Sequence, residues 1–159
     1  MPINVFDALT SLEQERYRAV ILHAVPEKSP SMTHFCQKVC KQTNGKYLDL
    51  LEFFIQSPNL SENIDSFSPE KLRGLLIDQS KGQSLLVIDR VDFLLDTWRK
   101  SERQDFFRFI KNQWDSYKDG MKAKLIVVLQ TSQEIESLKI LDSQGQSRIF
   151  RLNDFNDIG

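Results

Sequence analysis

Polar side chains of three chemical kinds gather at the ends of apolar runs in this chain. Ala19–Ala24 gives way to the loop Val25-Pro26-Glu27-Lys28-Ser29-Pro30-Ser31, Ser84–Ile88 ends in Asp89, and Lys124–Leu129 ends in Gln130-Thr131-Ser132. If the runs are parallel strands, an ammonium, several hydroxyls and a carboxylate line the crevice outside the carboxyl ends of the sheet, where ligands bind. The first loop leads into a helical pattern, and a helix N-terminus there can hold an anion such as phosphate. Yet the loop contains no glycine to let backbone N–H groups approach closely.

Two further clusters carry chemistry. Cys36 and Cys40 fall four apart in a helical pattern, one turn apart on one face. Zinc needs two more ligands, and the chain's histidines are His23 and His34; the latter, two residues before Cys36, is aimed elsewhere on a helix. The pair reads as small buried hydrophobes. In Asp96–Arg103 (DTWRKSER), Arg99, Lys100 and Arg103 occupy the first turns of a helix, where the dipole disfavours positive charge. A cation cluster kept there points to an anionic partner, nucleic acid or an acidic protein face, unless Asp96 and Glu102 simply compensate it. Trp98 beside it either stacks on a base or packs inward.

The elements that must position these residues follow from periodicity. Val5, Phe6, Leu9 and Leu12 mark a short amphipathic helix, and Met32, Phe35, Cys36, Val39 and Cys40 a second, stopped at Asn44-Gly45. Lys46–Leu50 reads as a strand, with Leu51–Ile55 extending it or forming a helical turn, and Ser57–Phe67 as a polar connector. Ser68-Pro69 opens a helix through Leu72, Leu75 and Leu76, closed by Gly82. The longest helix is expected from about Trp98 to Lys118, carrying Phe106, Phe107, Ile110, Trp114 and Tyr117 inward and ending at Gly120. Glu134–Leu141 is a short helix and Arg148–Leu152 a fifth strand. Apolar strands alternating with helices predict an α/β three-layer sandwich around a mainly parallel five-stranded sheet. Residues 1–159 read as one domain, with 1–17 as lead-in and 18–153 as core.

Bulk properties narrow the function classes. Hydrophobic residues at 40% and charged ones at 27% are those of an ordinary globular chain, which argues against disorder and membrane spanning. With 21 basic against 22 acidic residues there is no overall field to attract nucleic acid, so any such binding is local. The first residues, MPINVFDALTSLEQER, lack a signal-peptide pattern, and a cytoplasmic location is expected.

Ser84–Leu95, SLLVIDRVDFLL, resembles the Walker B strand of AAA+ and related P-loop NTPases. The resemblance implies that Asp89 orients the magnesium of bound ATP. Leu125–Ser132 is similar to the sensor-1 strand, which would aim Thr131 at the terminal phosphate, and Ser147–Leu152 to the segment that carries an arginine finger, here Arg148. A finger acts on nucleotide held by a neighbouring subunit, which implies an assembly with further copies or with a larger ATPase; a solvated arginine at a strand start is the alternative. Laid on the Walker A pattern G-x-x-x-x-G-K-S/T, the loop offers Ala24, Ser29, Pro30 and Ser31, of which only Ser31 fits. A shifted register pairs Lys28-Ser29 with the lysine and hydroxyl but leaves Leu22 and Glu27 at the glycines. The first register keeps Pro30 at the start of the helix, where proline is favoured. Arg90 stands where the catalytic glutamate would follow Asp89, and Asp92, the nearest carboxylate, is expected to turn away.

By this resemblance the last strand of the core falls near residue 152, and no helical lid is expected after it. The chain's size and the RVDFLL segment are similar to the small P-loop component (BrxF-like) of BREX phage-defence systems, which implies a cytoplasmic subunit beside a DNA methyltransferase and larger ATPases. The resulting expectation is a degenerate P-loop domain, a pseudo-ATPase acting as an accessory or scaffolding subunit of a DNA-directed complex. Two alternatives stay open: an ATPase that holds Mg-ATP through Lys28, Ser29 or Ser31 and Asp89, with Asp92 or a partner's finger as catalytic candidates, and a protein- or DNA-binding module without nucleotide.

Overall fold

In the computed structural model, which describes residues 2–118 and 123–158, five strands form one all-parallel sheet. They are β1 (Ala19–Ala24), β2 (Lys46–Asp49), β3 (Leu85–Asp89), β4 (Lys124–Gln130) and β5 (Ile149–Arg151), in the order β2-β3-β4-β1-β5. The expected α/β architecture is thus present, with the sheet parallel throughout. Successive strand residues point to opposite faces, and each face has its own core. Ala19 and Ile21 of β1, Leu86 and Ile88 of β3, and Leu125, Val127 and Leu129 of β4 serve one; Val20, Leu22, Leu85, Val87, Ile126 and Val128 serve the other. Strands covered on both faces need apolar residues at every position, which is why these runs show no polar alternation.

The helices divide accordingly. α1 (Val5–Ser11) and α2 (Ser29–Thr43) cover the second face with Val5, Leu9, Met32, Phe35, Cys36, Val39 and Cys40. On the first face lie α3 (Leu50–Ile55), α5 (Pro69–Ser80), α6 (Asp92–Thr97), α7 (Lys100–Asn112) and α8 (Gln133–Ser137). The segment expected as a polar connector instead contains α4 (Pro58–Glu62) and a 3-10 turn at Ile64–Ser66, and Leu51–Ile55 is helical. Local chemistry sets several ends. Ser68 accepts the Lys71 N–H at 3.2 Å to start α5 with Pro69 in its first turn. α2 stops at Asn44, which takes the left-handed conformation (φ 58°), while Gly45 lets Leu85 approach: a Cβ there would lie 3.1 Å from its side chain.

The long helix is shorter than its pattern suggested. It begins at Lys100 and ends at Asn112, because Trp114 turns inward and donates its Nε1–H to the Ala123 carbonyl at 2.8 Å. Asp115 then accepts Arg16 Nε at 3.0 Å and Nη2 at 2.7 Å, tying this turn to the segment before β1. Tyr117, expected inside, is 75% exposed. Gly120, the glycine expected to end the helix, lies outside the described residues. Among the described residues no helix is long and apolar enough to cross a membrane.

Candidate functional site

The strand order creates a crevice. β1 and β4 are neighbours, paired to their last residues, but β1 runs on into α2 on one face and β4 into α8 on the other, so the connections after them diverge at the point where ligands bind in such sheets. A cavity of ≈ 230 Å³ sits there, lined among others by Ser29, Met32, Thr33, Asp89, Arg90, Asp92 and Gln130.

Asp89 is its centre. As the last residue of β3 it is 3% exposed, and both of its oxygens accept hydrogen bonds. Its Oδ2 accepts the Thr33 hydroxyl at 2.7 Å and the Tyr47 hydroxyl at 2.6 Å, and its Oδ1 accepts the Arg90 N–H at 2.8 Å. A carboxylate with three donors is satisfied within the protein. Burial, and then the bond to Asp89, pushes the Tyr47 phenol far above its ordinary pKa. Cys36 on α2 is likewise raised, by burial first and by the charge of Asp89 second. Both stay protonated and neutral around Asp89, and Cys36 and Cys40 are buried thiols in the face of α2, as their spacing suggested.

Arg90 takes a left-handed backbone (φ 58°), a conformation that costs a non-glycine residue about 1 kcal/mol or more. Its guanidinium is held by Asp49 at the end of β2, Nε donating to Oδ2 at 2.9 Å. Asp92, expected to turn away, instead lines the cavity and accepts the Gln130 N–H at 2.9 Å. Burial raises its pKa, and the bond from Gln130 partly opposes that rise.

The hydroxyl that meets Asp89 is Thr33, not Ser31. Laid so that the final hydroxyl of G-x-x-x-x-G-K-S/T falls on Thr33, the pattern covers residues 26–33. Its glycines become Pro26 and Ser31 and its lysine becomes Met32, which is 2% exposed. The loop itself is wound up: a 3-10 turn spans Pro26–Lys28, with the Lys28 N–H donating to the Val25 carbonyl at 2.9 Å, and α2 starts at once with Ser29. N–H groups used in helical turns do not form an open ring around a phosphate.

The other candidate residues are dispersed. Ser29, Asp89 and Asp92 share the cavity, whereas Lys28 and Ser31 face a separate surface groove beside residues 152–158. Thr131 is outside the cavity wall. Its N–H donates to the Ala24 carbonyl at 2.8 Å, and its hydroxyl lies 2.8 Å from Nδ1 of the buried His23. Arg148 is not presented as a finger would have to be. It is 3% exposed at the opposite, amino end of the sheet, and its guanidinium donates to the carbonyls of Tyr17, Ala19, Ile110, Lys111 and Leu141 at 2.5–3.4 Å. Arg99 caps the start of α7 and Lys100 and Arg103 lie on it, where Arg103 Nε donates to Glu134 at 2.8 Å; Trp98 is in the core, its Nε1–H bonded to the Phe67 carbonyl at 2.7 Å, and does not stack outward.

Thr33, Tyr47, Met32 and the Asp49–Arg90 pair were not singled out from the sequence. Thr33 was recoverable by sliding the loop pattern two residues and weighing only its hydroxyl; Tyr47 carried no signal, because its partner is 42 residues away. Comparison with models of known protein families returned no match, and comparison with curated proteins returned none either.

Proposed function

We propose that this chain is a P-loop-type domain whose phosphate site has closed, and that it serves as an accessory or scaffolding subunit of a multiprotein complex without turning over nucleotide itself. The observation that carries this reading is the engagement of Asp89: with two hydroxyls on Oδ2 and an N–H on Oδ1, three of the about four acceptor positions of the carboxylate are used within the protein, which leaves little of it for a magnesium shell. Three features support it. Met32 fills the lysine position with an uncharged side chain, the loop is helical, and a cavity of ≈ 230 Å³ falls below the roughly 300–1,000 Å³ of ordinary small-molecule sites. In this reading the residues present fit Mg-ATP poorly. In this reading the protein works through contacts, in the cytoplasm, and its resemblance to the small BREX component makes a larger ATPase or a DNA methyltransferase the natural partner.

The test is titration calorimetry with ATP and magnesium, with melting temperature followed in parallel. No heat and an unchanged melting temperature at millimolar ATP are expected, since a ligand at about 100 times its Kd would add about 2.7 kcal/mol of stability. Binding by the wild type that disappears in Asp89→Asn would overturn the reading and make a nucleotide-binding subunit of it.

A further inference from the structure

A second concave surface shares no residue with the Asp89 cavity. It runs along the outer side of α7, between that helix and the stretch formed by α8 and residues 138–140, and encloses ≈ 770 Å³ of open groove. From α7 come Lys100, Arg103, Gln104, Arg108, Lys111 and Asn112; steps of three or four residues, from Lys100 to Arg103 or Gln104, from Gln104 to Arg108 and from Arg108 to Lys111 or Asn112, place them in one stripe down the helix. Lys139 stands on the opposite wall. A helix of thirteen residues is about 20 Å long, so the stripe spans several phosphates of a nucleic-acid strand.

The charge is lopsided for a chain whose total is near zero. Five cations line the groove against one carboxylate, Glu134, and that carboxylate is occupied by Arg103. Arg108 pairs with Asp105, but both side chains are more than half exposed, where such a pair contributes little. Lys100, Lys111 and Lys139 are exposed and make no ion pair among the described residues. Unpaired cations in register along one groove concentrate positive potential there and favour a linear polyanion.

We infer that this groove binds the sugar–phosphate backbone of duplex nucleic acid. The duplex is favoured over a single strand because sites for single strands add aromatic platforms on which bases stack. The aromatic residue of this groove, Phe107, is buried in the core, so it offers no such platform. Gln104, Asn112 and Gln133 add amide donors suited to phosphate oxygens. The inference goes beyond the reading of the Asp89 cavity and does not depend on it: either can fail while the other stands.

The experiment is retention of a labelled duplex of about 20 base pairs by the full chain across a salt series, with the matching single strand and polyglutamate as competitors. With a net of four positive charges engaged, affinity should fall about 100-fold between roughly 50 and 200 mM salt. Lys100→Glu, Lys111→Glu and Lys139→Glu together should abolish retention at unchanged melting temperature, whereas Lys41→Glu, Lys71→Glu and Lys81→Glu, elsewhere on the surface, should leave it intact. Three results would each overturn the inference: no duplex bound at the lowest salt, equal loss in both triple variants, or displacement of the duplex more readily by polyglutamate or the single strand than by unlabelled duplex.

Discussion

Arg148 and His23 show how a side chain's surroundings decide its role. Arg148 joins the start of β1, the last turn of α7 and the loop before β5 through carbonyls, two of which belong to the helix's unsatisfied C-terminal end. Replacing it with alanine leaves those carbonyls without donors in the interior and should cost at least about 3 kcal/mol in denaturant unfolding. Arg148→Lys should recover only part of that, since an ammonium lacks the planar fork that reaches several acceptors. His23 is buried beside Thr131, and burial, the largest influence on it, lowers its pKa below 6.5. The unfolded chain then takes up a proton as pH falls through about 6.5 while the folded one does not. Stability is therefore full above that pH and declines as pH drops toward the folded pKa, by at most about 1.4 kcal/mol per unit. Unfolding midpoints measured between about pH 7.5 and 5.5 should fall in the wild type and stay nearly level in His23→Gln. Around Asp89, by contrast, residue type alone misled: Ser31 and Thr33 carry the same hydroxyl, but only Thr33 faces β3, a matter of helical phase set by where α2 begins.

At the scale of elements, caps and punctuation were readable and helix lengths were not. Ser68-Pro69 announced α5 because an oxygen at the cap and a proline in the first turn meet needs local to the chain. Ser68→Ala should therefore destabilise the protein by about 1 kcal/mol, measured by thermal or urea unfolding, with little change in the native spectrum. The end of α7 had no such local signal. Its apolar spacing continues through Trp114, yet the helix stops because the indole finds the Ala123 carbonyl and Asp115 finds Arg16, partners separated by nine and 99 positions along the chain. The same holds for Asp92. Three residues past Asp89 it is expected to turn away from the site, but Arg90 takes a left-handed turn and α6 begins at once, which brings Asp92 back over the cavity to the Gln130 N–H.

For the whole molecule, the order β2-β3-β4-β1-β5 sets both the stability profile and the place of the crevice. β3, β4 and β1 have strand neighbours on both sides and buried side chains on both faces, whereas β2 and β5 are edges whose residues are only partly buried or exposed. Native-state amide exchange should accordingly be slowest in β1, β3 and β4 and at least about tenfold faster in β2 and β5; uniform protection would contradict this profile. The alternation of apolar strands with amphipathic helices is a local pattern, and it alone determined the parallel α/β class and the approximate place of every strand. Strand order is a matter of which distant segments pair, and no window of sequence contains it. That order brought Asp89, Thr33, Tyr47 and Asp92 together, separated Lys28, Ser31, Thr131 and Arg148 from them, and lined up the lysines of α7 opposite Lys139. Side chains meet only after the sheet has assembled, so the residues with chemistry were legible in the sequence while their partners were decided by tertiary structure.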